Sequence, residues 1–447
     1  MKKNYLLGMA LMASLSFYSC DKEVVYVQDG NGVESVADGA QIITLQVENG
    51  GDGLATRAGR PLYSAEAKQT IENVKLWICD NTSKVVYVKE ISNWNTDGST
   101  VYTTGGHGRQ TTIELKDGDK LAKGTYKVYA VGYSNSSDYV LTDVTNVAED
   151  GNFSENMVLS LSNTVGEEIF AGQMELSVDD GKGFKKPIVL NRQVAGAFAY
   201  VKDIPYTADA RYLKLVASAQ NQSLVLGHFN SVDLANNGSD NGEDVKYVVN
   251  GTSGKSDGDY AYVISTIDLN EWFTTIKDED GDNLIDAGDN WKNPYSSIGE
   301  GHPTFQKGSA FGGEFVIPFA HVDGKQTLTL QLTNAGGDVL RSWKVNLGSS
   351  DEQLSQTITC WNNSEAKDWS TSLSGETSNT YSLVRNHLYG IGTRMNDDPG
   401  KGTDPDPDPD PNPDPDDPDK PESLNNKQEL VLRVNDNWEV IHGMELD

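Results

Sequence analysis

The chain has 447 residues, of which 37% are hydrophobic, and its 66 acidic and 36 basic side chains give a formal net charge of −30. This length favours two domains over one, and the negative charge argues against nucleic acid or an anionic membrane face as a partner. The three cysteines form no CxxC pair, which excludes a disulfide framework and a zinc site. Two buried thiols, Cys79 and Cys360, are favoured over a bridge between them.

The first 20 residues predict an export signal. Lys2 and Lys3 precede a mostly apolar stretch that is too short to span a bilayer and that ends at Cys20. A cysteine there is typical of a bacterial lipoprotein, in which a diacylglyceryl group on the sulfur leaves Cys20 as the mature N-terminus. A plain secretory signal is the alternative. No other segment is apolar enough for a membrane helix, so we expect lipid to be the only anchor.

A short strand and a protease-accessible loop are predicted next, within a propeptide that covers residues 21–57. The loop is rich in glycine and contains Arg57 before Ala58. An arginine flanked by small residues in such a loop is open to a trypsin-like protease, so we predict cleavage between these two residues. The strand precedes the loop, and its apolar residues alternate with polar neighbours: Ile43, Leu45 and Val47.

Strands and turns dominate the middle of the chain, which predicts an all-β fold with two β-sandwich domains, 58–187 and 188–396. Short alternating runs are separated by turn residues, and no long helical periodicity is present. The clearest runs are 74–78, 84–88, 124–131, 192–201, 213–217, 311–319, 327–332 and 342–347, with 381–392 as the expected last strand.

One acidic turn in the second domain has the spacing of a calcium-binding loop. Its carboxylates fall at loop positions 1, 3, 5, 9 and 12, and hard oxygen ligands in that alternation can surround one Ca²⁺. Position 6 is Asn283 where such loops have glycine, and the alternative is a solvated acidic turn. A bound ion here would be structural, and no cofactor is required. The predicted ligands are Asp278, Asp280, Asp282, Asp286 and Asp289.

A spacer and an apolar tail follow the second domain. The spacer, 397–427, contains an Asp-Pro repeat that cannot form a helix or a central strand. Its most repetitive part extends to about 55 Å at the polyproline rise. In the tail, 428–447, apolar residues keep one parity, which places them on one face of an extended strand: Leu430, Leu432, Val434, Trp438, Val440, Met444 and Leu446.

The two predicted strands suggest a polymerisation switch. If the propeptide strand fills a groove in its own domain, cleavage at Arg57 releases it and exposes apolar side chains and unpaired backbone groups. The tail of a neighbouring copy, carried away from its own domain by the spacer, could then add a strand there. Each such contact is head-to-tail, so the assembly grows as a fibre.

Several of these segments resemble the fimbrillins, the type V pilins of Bacteroidales, and in particular the shaft subunits of the short, minor fimbria. The resemblance implies two transthyretin-like Greek-key β-sandwiches, lipoprotein export, removal of an N-terminal strand by an arginine-specific protease, and donor-strand exchange through C-terminal strands. Arg57 matches the family's cleavage position better than Arg60, because Pro61 hinders trypsin-like enzymes. The segments that carry the resemblance are the leader ending at Cys20, 55–59, 124–130, 192–205 and 384–389.

This resemblance also implies partners and a location. The expected partners are other copies of the chain, accessory fimbrial subunits, an arginine-specific protease and adhesion targets on host or bacterial cells. The expected location is the outer membrane and the cell surface. Motifs typical of enzymes, such as HExxH and GxSxG, do not occur, so the chain is predicted not to be an enzyme. The alternatives are a glycan-binding surface lipoprotein and a tip or anchor component of the same fimbria.

Overall fold

The computed structural model describes most of the chain between residues 26 and 435. Its strands confirm the predicted all-β sandwich fold, and the two described α-helices are single turns, Thr142–Thr145 (α1) and Leu269–Trp272 (α2). Among the described residues, no helix is long and apolar enough to cross a membrane. The described residues are 26–28, 34–36, 39–47, 71–101, 109–135, 137–162, 167–227, 247–254, 262–298, 305–362, 369, 371–373, 375–393, 420–425 and 427–435.

The described residues of the first half of the chain form eleven strands. All but β9 belong to one large sheet in the order β5-β4-β8-β10-β11-β3-β7-β6, with β2 beside β11 and β1 beside β2. The strands are Tyr26–Gln28 (β1), Glu34–Val36 (β2), Gln41–Val47 (β3), Asn73–Cys79 (β4), Val85–Ile91 (β5), Thr100–Val101 (β6), Arg109–Leu115 (β7), Gly124–Tyr133 (β8), Val158–Ser160 (β9), Phe170–Val178 (β10) and Phe184–Arg192 (β11).

This N-terminal sheet folds over into two layers. Strands β10 and β11 pair only at Phe170↔Arg192 and Ala171↔Asn191, so the sheet turns at that corner. One layer is β5-β4-β8-β10 and the other is β11-β3-β7-β6. Apolar side chains that alternate along both layers meet between them as one hydrophobic core.

Local sequence explains the best-defined hairpin of this sheet, β4 to β5. Polar turn residues follow β4, and the Asp80 Oδ1 atom accepts a hydrogen bond from the Thr82 backbone N–H at 2.8 Å. Ser83 then adopts the left-handed conformation with φ of 64°. Such a turn reverses the chain and lets two β-branched runs pair.

Sixteen strands follow in the part of the second half that the structure describes. Nine of them form a C-terminal sheet in the order β18-β14-β21-β22-β27-β25-β12-β20, with β26 beside β12. The strands are Ala195–Lys202 (β12), Ile204–Pro205 (β13), Ala210–Ala217 (β14), Ser223–Val225 (β15), Val248–Val249 (β16), Gly251–Thr252 (β17), Tyr262–Asp268 (β18), Leu284–Ile285 (β19), Ala310–Val316 (β20), Leu328–Asn334 (β21), Val339–Leu347 (β22), Ile358–Cys360 (β23), Thr371–Leu373 (β24), Leu388–Ile391 (β25), Glu422–Ser423 (β26) and Glu429–Asn435 (β27).

The end of this sheet differs from the sequence prediction. Residues 381–392 were expected to be the last strand, but only Leu388–Ile391 (β25) pairs in the sheet. Two later strands, β26 and β27, come from the regions predicted as spacer and tail. The backbone before β25 is irregular because Asn386 has a positive φ of 58°, which interrupts an extended run.

Only Gln193 and Val194 separate β11 of the first sheet from β12 of the second, and both are buried. Strand β9 of the first half pairs with β15 of the second half. A shared hydrophobic cluster joins residues of β4 and β8 to Leu224 and Ile317. The two sheets are therefore held together by a short linker, a strand pair and a common core.

Candidate functional site

The strand predicted for the propeptide lies in the middle of a sheet layer. On one side, β3 pairs in parallel with β11, from Gln41 opposite Phe184 to Val47 opposite Leu190. On the other side it pairs antiparallel with β7, from Gln41 opposite Leu115 to Val47 opposite Arg109. The strand therefore fills a seven-residue slot between two neighbours, which we call the N-terminal slot.

The inward face of β3 is completely buried. Ile43, Leu45 and Val47 are each 0% exposed and belong to the core between the two layers. Burying a side chain of this size contributes about 1.5–3 kcal/mol, so the three together contribute roughly 5–9 kcal/mol before backbone hydrogen bonds are considered. Without β3, the sheet path from β11 to β7 is interrupted and part of the core is exposed.

The start of β3 is held by specific contacts as well as by packing. The Gln41 side chain donates to the Leu121 carbonyl oxygen at 2.9 Å and accepts from the Leu121 backbone N–H at 2.7 Å. Gly183 allows a close approach of the neighbouring backbone, because a Cβ atom there would lie 2.2 Å from the Ala40 carbonyl oxygen. These contacts fix the register of the strand in its slot.

The predicted processing sites fall outside the described residues. Cys20 lies in residues 1–25, and Arg57 and Ala58 lie in residues 48–70. What the structure does describe is the arrangement on either side of the second segment. Strand β3 ends at Val47 and β4 begins at Asn73, so the predicted cut falls between β3, which fills the slot, and the strands that follow it in its domain.

The first part of the predicted donor strand lies in its own chain. Strand β27 pairs in parallel with β22, from Glu429 opposite Lys344, and antiparallel with β25, from Asn435 opposite Leu388. Leu430 is 1% exposed and Leu432 is 2% exposed within the core of the C-terminal sheet. We call the position that β27 occupies the C-terminal slot.

This position departs from the prediction that the spacer carries the whole tail away from its own domain. The predicted spacer 397–427 also ends earlier than expected, because Thr393 and Lys420 form an isolated bridge with two reciprocal backbone hydrogen bonds of 2.8 Å. Leu424 is 0% exposed. Thr393 and Lys420 therefore lie side by side at the edge of the C-terminal domain, and apolar burial favours β27 docking beside its own sheet.

The two slots share one pattern of neighbours. Strand β3 and strand β27 each have one parallel neighbour, β11 or β22, and one antiparallel neighbour, β7 or β25. Both strands bury an apolar side chain at every second residue. The opposite faces differ, because Thr44 of β3 is 7% exposed and Val431 of β27 is 59% exposed. A strand that fits one slot therefore has the direction and alternation that the other slot requires. The remaining predicted donor residues, Trp438, Val440, Met444 and Leu446, lie outside the described residues, as does the Val434 side chain.

The acidic turn brings together three of its five predicted ligands. One carboxylate oxygen each from Asp278, Asp280 and Asp282 lies within 4.8 Å of the others. Asp289 is buried and plays a different part: its Oδ1 atom accepts from the Glu279 backbone N–H and its Oδ2 atom from the Asp286 backbone N–H. Asn283, at the position usually occupied by glycine, has a φ of 69° and so makes the left-handed turn.

The electrostatics of this turn are those of crowded carboxylates. Burial, together with the neighbouring charges of Asp282 and Asp280, raises the pKa of Asp286. Desolvation opposes ionisation of Asp278, but backbone N–H hydrogen bonds, including those of Gly281 and Asn283, outweigh it and lower the pKa of Asp278. Three carboxylate oxygens close together, two of them on exposed side chains, are an arrangement that a divalent cation would stabilise.

Sequence reasoning missed two buried polar clusters near the second sheet. The His321 Nδ1 atom lies 3.3 Å from Glu376 Oε1 and 3.4 Å from Ser382 Oγ, and its Nε2 atom lies 3.1 Å from Asp323 Oδ1. At the junction of the sheets, the Arg385 Nη1 atom donates to Gln193 Oε1 at 3.1 Å and to the Gly227 carbonyl at 3.0 Å. Most of the contacts in each cluster join residues that are far apart in sequence, so no local sequence motif predicts them. Cys79 and Cys360 are buried free thiols, and burial raises the pKa of each to about 12.

Comparisons with known proteins give structural similarity only. No family model matches the chain, and no curated protein matches it. Among solved structures, it is similar to the tip fimbrial protein Mfa3 of Porphyromonas gingivalis, with 10% identity over 78% of this chain and 93% of that chain and a TM-score of 0.34. It is also similar to the fimbrial anchor protein Mfa2 of the same organism, with 9% identity over 77% of this chain and 99% of that chain and a TM-score of 0.32. A fimbrial assembly protein from Parabacteroides distasonis is similar with 12% identity over 67% of this chain and 97% of that chain and a TM-score of 0.28.

Proposed function

We propose that this chain is a structural subunit of a cell-surface fimbria that polymerises by donor-strand exchange and supports adhesion. In this proposal it is exported as a lipoprotein through Cys20 and is activated by an arginine-specific protease that cuts after Arg57. Each processed copy then accepts a C-terminal strand from a neighbour, so the polymer grows head to tail.

The observation that carries this proposal is the position of β3. A strand N-terminal to the predicted cleavage site fills a central slot of its own sheet and contributes three fully buried side chains. A cut at Arg57 removes its covalent link to the domain. The strand is then held only by noncovalent contacts, and a competing strand of the same direction and alternation can displace it.

The location of β27 supports the complementary half of the proposal. Strand β27 of the tail is inserted between one parallel and one antiparallel neighbour in its own C-terminal sheet. Its sequence is therefore suited to strand addition. The same contacts hold β27 in its own chain.

The test is a processing experiment on the purified precursor without its signal, residues 21–447. We expect an arginine-specific protease to produce high-mass ladders on gels of unboiled samples. Arg57→Ala should prevent both the cut and the ladders, because the propeptide strand remains tethered. Arg60→Ala is the matched control and should be cut and assemble as the unchanged protein does. Clean cleavage at Arg57 that leaves the protein monomeric contradicts the proposal.

A further inference from the structure

The number of slots and the number of strands available to fill them set a constraint on the polymer. Each subunit has an N-terminal slot, filled by β3, and a C-terminal slot, filled by β27. Cleavage at Arg57 followed by loss of the propeptide removes one strand per subunit. If β27 moved into the N-terminal slot of a neighbour, every subunit would gain one filled slot and lose another.

Leaving the C-terminal slot empty would be costly. Among the described strands, β27 alone joins β22 to β25 in the sheet path. Its departure would expose Leu430 and Leu432, each worth about 1.5–3 kcal/mol of burial, and would unpair backbone groups on both neighbours. The approach to β27 is also anchored, because Glu422 pairs with Val201 and Leu424 is 0% exposed.

The sequence after β27 predicts a second strand that could fill a slot. Asn435, Asp436 and Asn437 form a polar break, and apolar residues then resume on the same parity in the segment 438–446. An extended segment of nine residues is long enough for a seven-residue slot, and one of its faces carries mostly apolar side chains. The apolar residues of that face are Trp438, Val440, Met444 and Leu446.

We infer that the segment entering the neighbouring copy is 438–446, whereas β27 stays in the C-terminal slot of its own chain. This inference rests on the strand exchange proposed above and adds which half of the tail takes part. The tail then fills two slots per subunit, one in its own chain and one in the next. Every slot in the polymer is occupied, and no sheet is left open.

A reversible disulfide that locks β27 in place separates the two arrangements. Asn346 and Val431 are directly paired across β22 and β27, and the contact of Asn346 with Glu429 shows that both side chains face outward. Neighbouring strands bring Cα atoms within disulfide range, so Asn346→Cys with Val431→Cys should cross-link. The native Cys79 and Cys360 are buried and should not interfere.

We expect the oxidised double variant, after cleavage at Arg57, to form ladders in the same yield as its reduced form. Ladders that appear only after reduction would mean that β27 itself is exchanged, which overturns this inference but leaves the proposed fimbrial function intact. Ladders absent in both redox states, when the unmodified protein shows none either, would contradict the proposed function.

A substitution in the distal segment gives an independent check. Met444→Asp places a charge on the face that would be buried, and we expect it to lower ladder yield at least roughly tenfold, since burying an unpaired carboxylate costs well over 1.4 kcal/mol. Glu445→Asp is the matched control on the other face and should assemble normally. The melting temperature of the monomer should be the same in both variants. Normal ladders from Met444→Asp overturn the inference.

Discussion

At the scale of single residues, the carboxylates of the acidic turn have different roles. Some hold the loop through hydrogen bonds, and one would mainly bind a cation. Asp278 accepts hydrogen bonds from three backbone N–H groups, whereas within the described loop Asp280 accepts one, from the Asp282 N–H at 3.3 Å. Replacing Asp280 therefore removes a ligand with the least damage to the turn. This distinction decides which variant tests calcium binding.

We predict that a chelator lowers the melting temperature of the protein and that Asp280→Ala abolishes this response. Binding worth about 2 kcal/mol would raise the melting temperature by roughly 2–3 °C if both sheets unfold as one unit. Differential scanning calorimetry with and without added Ca²⁺ makes the measurement. Asp179→Ala, an exposed acid away from the turn, is the control and should keep the response. Identical melting curves with calcium and with chelator would show that the turn binds no ion.

The buried pair His321–Glu376 predicts a pH-dependent contribution to stability. Both side chains are almost inaccessible, at 3% and 2% exposed. The hydrogen bond to Glu376 raises the pKa of His321, against the opposing effect of burial. Because the folded state holds the proton more tightly than the unfolded state, the stabilisation is fully present below the unfolded pKa of about 6.5. It is lost as pH rises through the folded pKa.

We therefore expect His321→Gln to be less stable than the unchanged protein at mildly acidic pH, by about 1.5–3 kcal/mol, the usual range for a hydrogen bond to a charged group. This difference in the free energy of unfolding should shrink as pH increases. Urea unfolding at several pH values between ~5.5 and ~8.5 measures it. A difference that stays constant across that range would mean that His321 does not titrate as the structure implies.

At the scale of elements, β3 contributes to stability only while it fills its slot. We predict that Leu45→Ala lowers the free energy of unfolding of the precursor by about 2–5 kcal/mol, the usual cost of a cavity in a core. Gln46→Ala removes only a 3.3 Å hydrogen bond to Gln110 on the outer side and should cost less than about 1 kcal/mol. Urea unfolding of each precursor provides the values.

The same pair of variants should behave differently after processing. Once β3 has been displaced from a cleaved subunit, residue 45 is no longer in the core, so polymers made from Leu45→Ala should be as stable as polymers of the unchanged protein. A weaker strand is also easier to displace, and we expect its ladders to form faster. Polymers that are destabilised by Leu45→Ala would show that β3 remains in its slot after assembly.

The sequence predicted which strands exist better than where they pair. Alternation predicted strands with one apolar face around Leu45 and around Leu430 and Leu432, and the structure places β3 and β27 there with these side chains buried. Alternation reports which face of a strand is apolar, but it carries no information about the sheet that covers that face. The slot of β27 depends on the Thr393–Lys420 bridge, a long-range contact with no local signal. The long spacer suggested separation, whereas Thr393 and Lys420 pair directly with each other.

At the scale of the whole molecule, the junction between the two sheets decides whether a subunit behaves as one body. The linker has two buried residues, Gln193 and Val194, and the junction contains the ion pair Arg192–Glu168, with both side chains 0% exposed and the Nε and Oε1 atoms 2.8 Å apart. A fibre under tension would transmit force through this junction. A flexible linker would let the sheets separate first, and a buried linker would not.

We predict that the sheets of the unchanged chain unfold together and that Glu168→Gln uncouples them. The variant leaves the guanidinium of Arg192 buried beside a neutral amide, and breaking one side of a buried ion pair costs about 3–5 kcal/mol. Because that loss falls on the junction, calorimetry should resolve two transitions in place of one. Asp179→Asn, which breaks only the exposed pair with Lys182, is the control and should shift stability by less than about 1 kcal/mol. A single, uniformly lowered transition in Glu168→Gln would mean that the strand pair β9–β15 and the shared core suffice to couple the sheets without the ion pair.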